Sequence, residues 1–166
     1  MPLLKHGALI DDRWRRLADE DPLPGTDAVI VTLARWRADR ALAGRGSPLG
    51  LALRNSEAVQ PLAGEIQSFE LVALEFPKFT DGRAYSQARL LRERLGFTGE
   101  LRATGQVLPD QLLFMQRCGF DAFEIAKGAA LEAWRKALAS FSVFYQPTGD
   151  GRAPVNSLRR VIGSRP

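Results

Sequence analysis

Apolar residues fall along this chain in short runs divided by turn-forming residues: AVIVTLA from Ala28, LGLAL from Leu49, ELVALEF from Glu70, ELRAT from Glu100 and AFEI from Ala122. Their starts are about 21, 21, 30 and 22 residues apart, the period of a strand-then-helix unit. The segments between them carry helical spacing. In AYSQARLLRERL, Ala84, Ala88, Leu91 and Leu95 recur at i, i+4, i+7 and i+11, with Thr80 and Asp81 as cap types before it and Gly96 as a stop. A second helix is expected from Pro109 through Leu112, Leu113 and Met115 to Cys118, ended by Gly119. A third, AALEAWRKALASF, puts Leu131, Trp134, Leu138 and Phe141 on one stripe.

This order predicts an α/β fold of repeated βα units with a mainly parallel sheet, either an open twisted sheet or a partial (βα) barrel. Near-continuous apolar strands such as VIVTLA and LVALEF point to burial on both faces, the habit of parallel sheets covered by helices, and short connections impose right-handed crossovers. A partial barrel leaves strand edges unpaired, so a homodimer covering an edge is expected. Residues 1–27 read as an N-terminal edge strand, Ala8–Ile10, and an acidic loop, LADEDPLPGTD. Residues 28–146 form a single α/β domain, and 147–166, rich in Gly, Pro and Arg, read as a flexible basic tail, poorly ordered or bound to a partner.

Length and composition narrow the picture. At 166 residues one domain is expected, and 45% hydrophobic with 25% charged residues is ordinary globular usage. No apolar run reaches the roughly 20 residues that a bilayer requires, and MPLLKHGALIDDRWRR lacks the order of a secretory signal, so no membrane association and a cytoplasmic location are expected. The net charge of +4 comes from residues scattered among acidic neighbours, which favours a small anionic ligand or an acidic protein surface over nucleic acid.

The chemistry is limited by what is scarce. Cys118 is the sole cysteine and reads as packing; His6 is the sole histidine, so neither a catalytic triad nor a histidine-ligated metal is expected. Gly44, Gly46 and Gly50 imitate a dinucleotide fingerprint, but Leu49 stands at the third glycine and the run precedes a strand. No cofactor and no metal are therefore expected. Trp36 and Trp134 read as core or interface.

Ligands of such folds bind where strand carboxyl ends meet loops and helix amino termini. That places Arg35 and Trp36, Asn55 and Ser56, Glu75, Lys78 and Asp81, Arg102, Thr104 and Gln106, then Glu124 and Lys127 near a site. FPKFTDGR is the most suggestive loop, because Gly82 lets backbone approach a ligand while Lys78 and Arg83 flank helix amides. The plainer reading makes Asp81 a cap and Arg83 a solvated side chain. Arg102, inside an apolar strand, either faces solvent or serves a site. Asp110 and Gln111 suit a first helical turn and Arg117 a last one with or without a ligand. Glu75 and Glu124 could share one pocket and a hard cation, a weak signal without a spacing motif.

The block FTDGRAYSQARLLRERLGFTGELRATGQVLPDQLLFMQRCGFDAFEI resembles a bacterial family known as domain of unknown function 934. DGR, SQAR with LLRERLG, ELRA, DQL and RCGFDAFE follow one another over Phe79–Ile125. Weaker similarity runs from the Asp12–Trp14 region to FYQP at Phe144–Pro147. The resemblance implies an accessory, oxidoreductase-type role in assimilatory sulfite reduction, with sulfite reductase as partner, and singles out Asp81, Arg83, Arg89, Arg102, Asp110, Gln111 and Arg117. With Lys78 these make an anion-binding set. The rival reading is a βα-type enzyme acting on a small phosphorylated or carboxylated metabolite, with Glu75, Lys78 and Arg102 as acid, base and anchor. A third is an assembly factor whose dimer supplies a docking surface.

Overall fold

The computed structural model describes residues 1–128, 131–148 and 154–155. Its frame is one eight-stranded sheet. The strands are β1 (Leu3–Lys5), β2 (Ala8–Ile10), β3 (Arg15–Arg16), β4 (Val29–Thr32), β5 (Leu49–Leu53), β6 (Leu71–Phe76), β7 (Glu100–Gly105) and β8 (Ala122–Glu124). They lie in the order β2-β1-β8-β7-β6-β5-β4-β3. From β3 to β8 every neighbouring pair is parallel, and β1 runs antiparallel to both β2 and β8.

The five apolar runs are the five long-range parallel strands, and Ala8–Ile10 is the edge strand its pattern suggested. Two strands carry no such signal. Leu-Leu-Lys of β1 and Arg-Arg of β3 are too short for a period, and only pairing with β8 and β4 makes them strands. Thus part of segment 1–27 belongs to the sheet itself, with Leu3 and Leu4 buried.

Three helices join the strands and a fourth follows the last: α1 (Leu33–Ala38), α2 (Arg83–Arg89), α3 (Leu112–Arg117) and α4 (Leu131–Leu138). Thr32 caps α1, its side chain accepting from Arg35 N at 3.1 Å. Asp81 sits one residue ahead of the α2 cap Gly82, and its carboxylate takes the Arg83 amide at 3.3 Å. The amphipathic run past α2 continues as a π-helical turn, Leu90–Arg94, and stops at Gly96, whose φ of 63° favours glycine. In α4, Trp134 is buried as its stripe predicted, whereas Phe141 lies beyond the helix and is exposed, because the helix ends at Leu138. Of the expected tail, 149–153 and 156–166 lie outside the described residues.

Alternation along the strands separates two faces. Val29, Val31, Leu51, Leu53, Val72, Leu74, Phe76, Leu101 and Phe123 meet Trp36, Ala84, Ala88, Leu91, Leu112 and Trp134 in the main core. The opposite parity holds a smaller cluster of Ile30, Leu71 and Ala73, against which Trp14 and Ala52 pack, with no helix residue in it. Both faces are indeed covered, but helices cover only one. The other is covered by curvature. In a flat sheet β3 and β8, five strand intervals apart, would be roughly 24 Å from each other. Yet Arg16 of β3 reaches Glu124 of β8 at 2.8 Å. The sheet is therefore curled into an open half-barrel with helices on its convex side.

Candidate functional site

Side chains on the concave face follow from strand parity: Ile30 and Thr32 on β4, Gly50 and Ala52 on β5, Leu71, Ala73 and Glu75 on β6, Glu100, Arg102 and Thr104 on β7. Toward the strand amino ends the space is filled. A Cβ on Gly50 would lie 3.1 to 3.3 Å from Ile30, Leu71 and Trp14, so this glycine admits the Trp14 ring. Beside it Arg102 is fully buried. Its Nη1 meets Asp12 at 2.6 Å, its Nη2 meets Glu100 at 2.9 Å, and Glu124 stands 3.6 Å away. Lys5 closes the network on Glu100 at 2.6 Å. Burial opposes the charge on Arg102, but its hydrogen bonds to Asp12 and the field of Glu100 outweigh it, so its pKa stays raised.

Toward the carboxyl ends the same face is hollow. Ala52 and Ala73 are too small to fill it, and a cleft of about 460 Å³ opens there. Its charged walls are Arg16, Asp19, Arg54, Glu57, Glu75 and Glu124, and Thr32, Thr104 and Gly105 complete its polar side. Arg16 pairs with Glu124, Arg54 with Glu57 at 3.1 Å, and Asp19 accepts the Thr32 hydroxyl at 2.6 Å. Thr104, buried opposite Glu75 in the β6–β7 register, donates to Leu74 O at 3.3 Å. The Glu75 carboxylate makes no hydrogen bond or ion pair among the described residues. No group of three His, Cys, Asp or Glu among the described residues is placed to hold a metal ion.

The residues singled out from sequence are distributed differently. Glu75 and Glu124 do line one cleft. Arg102 belongs to the filled half, away from Glu75. Lys78 and Asp81 lie on the β6–α2 loop, Arg83 opens α2, and Asp110 and Gln111 lie on the turn before α3, all outside the cleft lining. Arg83 holds Asp81 at 2.7 Å, and this hydrogen bond lowers the Asp81 carboxyl to about 2. Arg89 pairs with Glu93 along its own helix at 3.0 Å. Arg117 donates to Gln146 O at 2.6 Å and stacks over Phe144, 3.9 Å from the ring centroid, tying down the segment after α4. Arg35 is buried and donates to Ala18 O and Asp21 O. Cys118 is packed in the core, where burial pushes its thiol up to about 11.

Two exposed aromatic side chains stand out, Phe79 on the β6–α2 loop and Phe114 on helix α3. Phe79 and Phe114 are 51% and 58% exposed. Neither is loosely attached: Gln106 Oε1 accepts from Phe79 N at 3.2 Å, Gln111 Nε2 donates to Phe79 O at 2.9 Å, and the Tyr85 ring packs 4.8 Å from that of Phe114. Sequence reasoning missed Arg16, Asp19, Arg54 and Glu57, whose place on the cleft depends on curvature. A usable signal was the parity of Gly50, Ala52 and Ala73, small residues at alternate positions of neighbouring strands.

No helix among the described residues is long and apolar enough to cross a membrane. A family model described as a bacterial protein of unknown function (DUF934) matches residues 50–156. No curated protein matches the chain.

Proposed function

The chain belongs to the bacterial family of unknown function DUF934, and from that footing we propose that it is an accessory protein of assimilatory sulfite reduction that docks on sulfite reductase through the β6–α2 loop and helix α3. The pathway comes from the family resemblance of the Phe79–Ile125 block. The observation that carries docking is the pair Phe79 and Phe114, exposed yet held by Gln106, Gln111 and Tyr85. Protein interfaces draw most of their binding energy from a few aromatic or arginine anchors, and anchors fixed in advance lose less entropy on binding. Lys78 on the β6–α2 loop and Asp110 on the turn before α3, both exposed, give the surface a polar rim.

A small anion fits the arginines less well. Arg83, Arg89 and Arg102 have carboxylate partners within the chain, and Arg117 holds Gln146, so an anion would have to displace existing bonds. Sulfite and sulfate are accordingly expected to leave the melting temperature unchanged. The test is copurification of the full chain with sulfite reductase from cells assimilating sulfate. Phe79→Ala with Phe114→Ala is expected to weaken that association at least tenfold with the melting temperature preserved. Undiminished association of the double variant would place the contact elsewhere.

A further inference from the structure

The docking surface leaves the cleft of the half-barrel unused, and the chemistry of the two is distinct. We infer that the hollow at the strand carboxyl ends is a binding site for a small organic cation, a molecule whose primary ammonium or guanidinium group reaches Glu75. Four carboxylates, of Asp19, Glu57, Glu75 and Glu124, line this cleft against two guanidiniums, of Arg16 and Arg54. Both guanidiniums are already paired, Arg16 with Glu124 and Arg54 with Glu57. What remains is negative: the carboxylate of Asp19, which accepts a hydroxyl proton from Thr32, and that of Glu75, which has no partner among the described residues.

The position of Glu75 adds to the charge. It is half-buried near the carboxyl end of the central strand β6, on the concave face, with Thr104 beside it in register. A carboxylate half-buried in a concave wall gains from an incoming cation more than a fully exposed one does. Thr104 uses its proton on Leu74 O, so its oxygen is left as an acceptor. Carboxylate and hydroxyl oxygen together suit an ammonium group, which has three donors and no acceptor.

The shape selects an organic molecule over a bare ion. A hollow of about 460 Å³ lies within the ordinary range for small-molecule sites. Ala52 and Ala73 give it apolar wall for a short carbon chain, while no three convergent ligating side chains among the described residues are placed to hold a metal ion. The void exists because Ala52 and Ala73 occupy positions that a filled barrel gives to bulky branched residues.

The experiment is calorimetric titration of the full chain, at fixed ionic strength, with putrescine, agmatine and ethanolamine, and with butane-1,4-diol and succinate as neutral and anionic controls of similar size. At least one amine is expected to bind and to raise the melting temperature with dose, while diol and succinate do neither. Glu75→Gln, which keeps the shape and removes the charge, is expected to weaken amine binding at least tenfold without lowering the melting temperature of the free protein. Phe79→Ala, outside the lining, should leave amine binding intact. Binding of succinate in preference to the amines, amine binding unchanged in Glu75→Gln, or no binding by any of the three amines would each overturn the inference.

Discussion

The two halves of the concave face are built from the same strands and have opposite characters. In the amino-terminal half Trp14 fills the space that Gly50 leaves, and Arg102 answers Asp12 and Glu100 at hydrogen-bond distance. In the carboxyl-terminal half Ala52 and Ala73 leave a hollow, and Glu75 is left unanswered. Charged residues inside a sheet are thus not equivalent evidence of a site. A saturated network holds the curvature by tying the segment before β3 to β7, whereas an unsatisfied group beside empty volume is what a ligand can complete.

This contrast is broken most severely by Arg102→Ala. Removing one member of a buried ion network leaves its partners uncompensated, and the loss is expected to be about 3–5 kcal/mol, seen as a lower urea midpoint. Arg102→Lys should recover only part of it, because a single ammonium cannot replace a fork that reaches Asp12 and Glu100 together. A stability change below about 1 kcal/mol in the alanine variant would mean that the network does not hold the curl.

Gly105→Ala probes the other half with a smaller expected loss. Gly105 has φ 87°, and a Cβ there would stand 2.4 Å from Phe76 O. The strained backbone alone is expected to cost about 1–3 kcal/mol, more if β6 and β7 must separate. Thermal melting measures this directly, and a wild-type midpoint would show that the loop after β7 relaxes freely.

The smallest effect belongs to the rim. Arg83 holds the Asp81 carboxyl at about 2, chiefly by their hydrogen bond, so the native group binds its proton less readily than the unfolded one. Its contribution is therefore present above the unfolded carboxylate range, near pH 3.9, and disappears as pH falls through about 2. Arg83→Ala is expected to raise the Asp81 midpoint in an NMR titration toward the ordinary value while the melting temperature at neutral pH stays unchanged. An unmoved midpoint would assign the low value to another group.

The strand runs, their parallel direction and the α2 and α3 helices were legible because each is encoded locally, by a period of apolar residues and by residues such as Asp81 and Pro109 that mark the turn leading into a helix. The site was legible only in part. Glu75 and Glu124 could be named from their position at strand carboxyl ends, but Lys78 and Arg83 share that position and lie outside the cleft. Arg102 shows the reason. Its sequence context offered solvent or a ligand, and the structure supplies neither, because Asp12, ninety residues earlier in the chain, is brought to it by curvature.

By itself the sequence determined an α/β chain of βα units, since spacing and capping act within a few residues and need no distant partner. It also determined family membership, through motifs spread over the matched region. Only the tertiary structure decided that the sheet curls, that β1 and β3 are strands, and which charges are cancelled and which are left over. Those outcomes depend on contacts between residues far apart in the chain, where a side chain's partner is set by the path of the backbone and not by its neighbours in sequence.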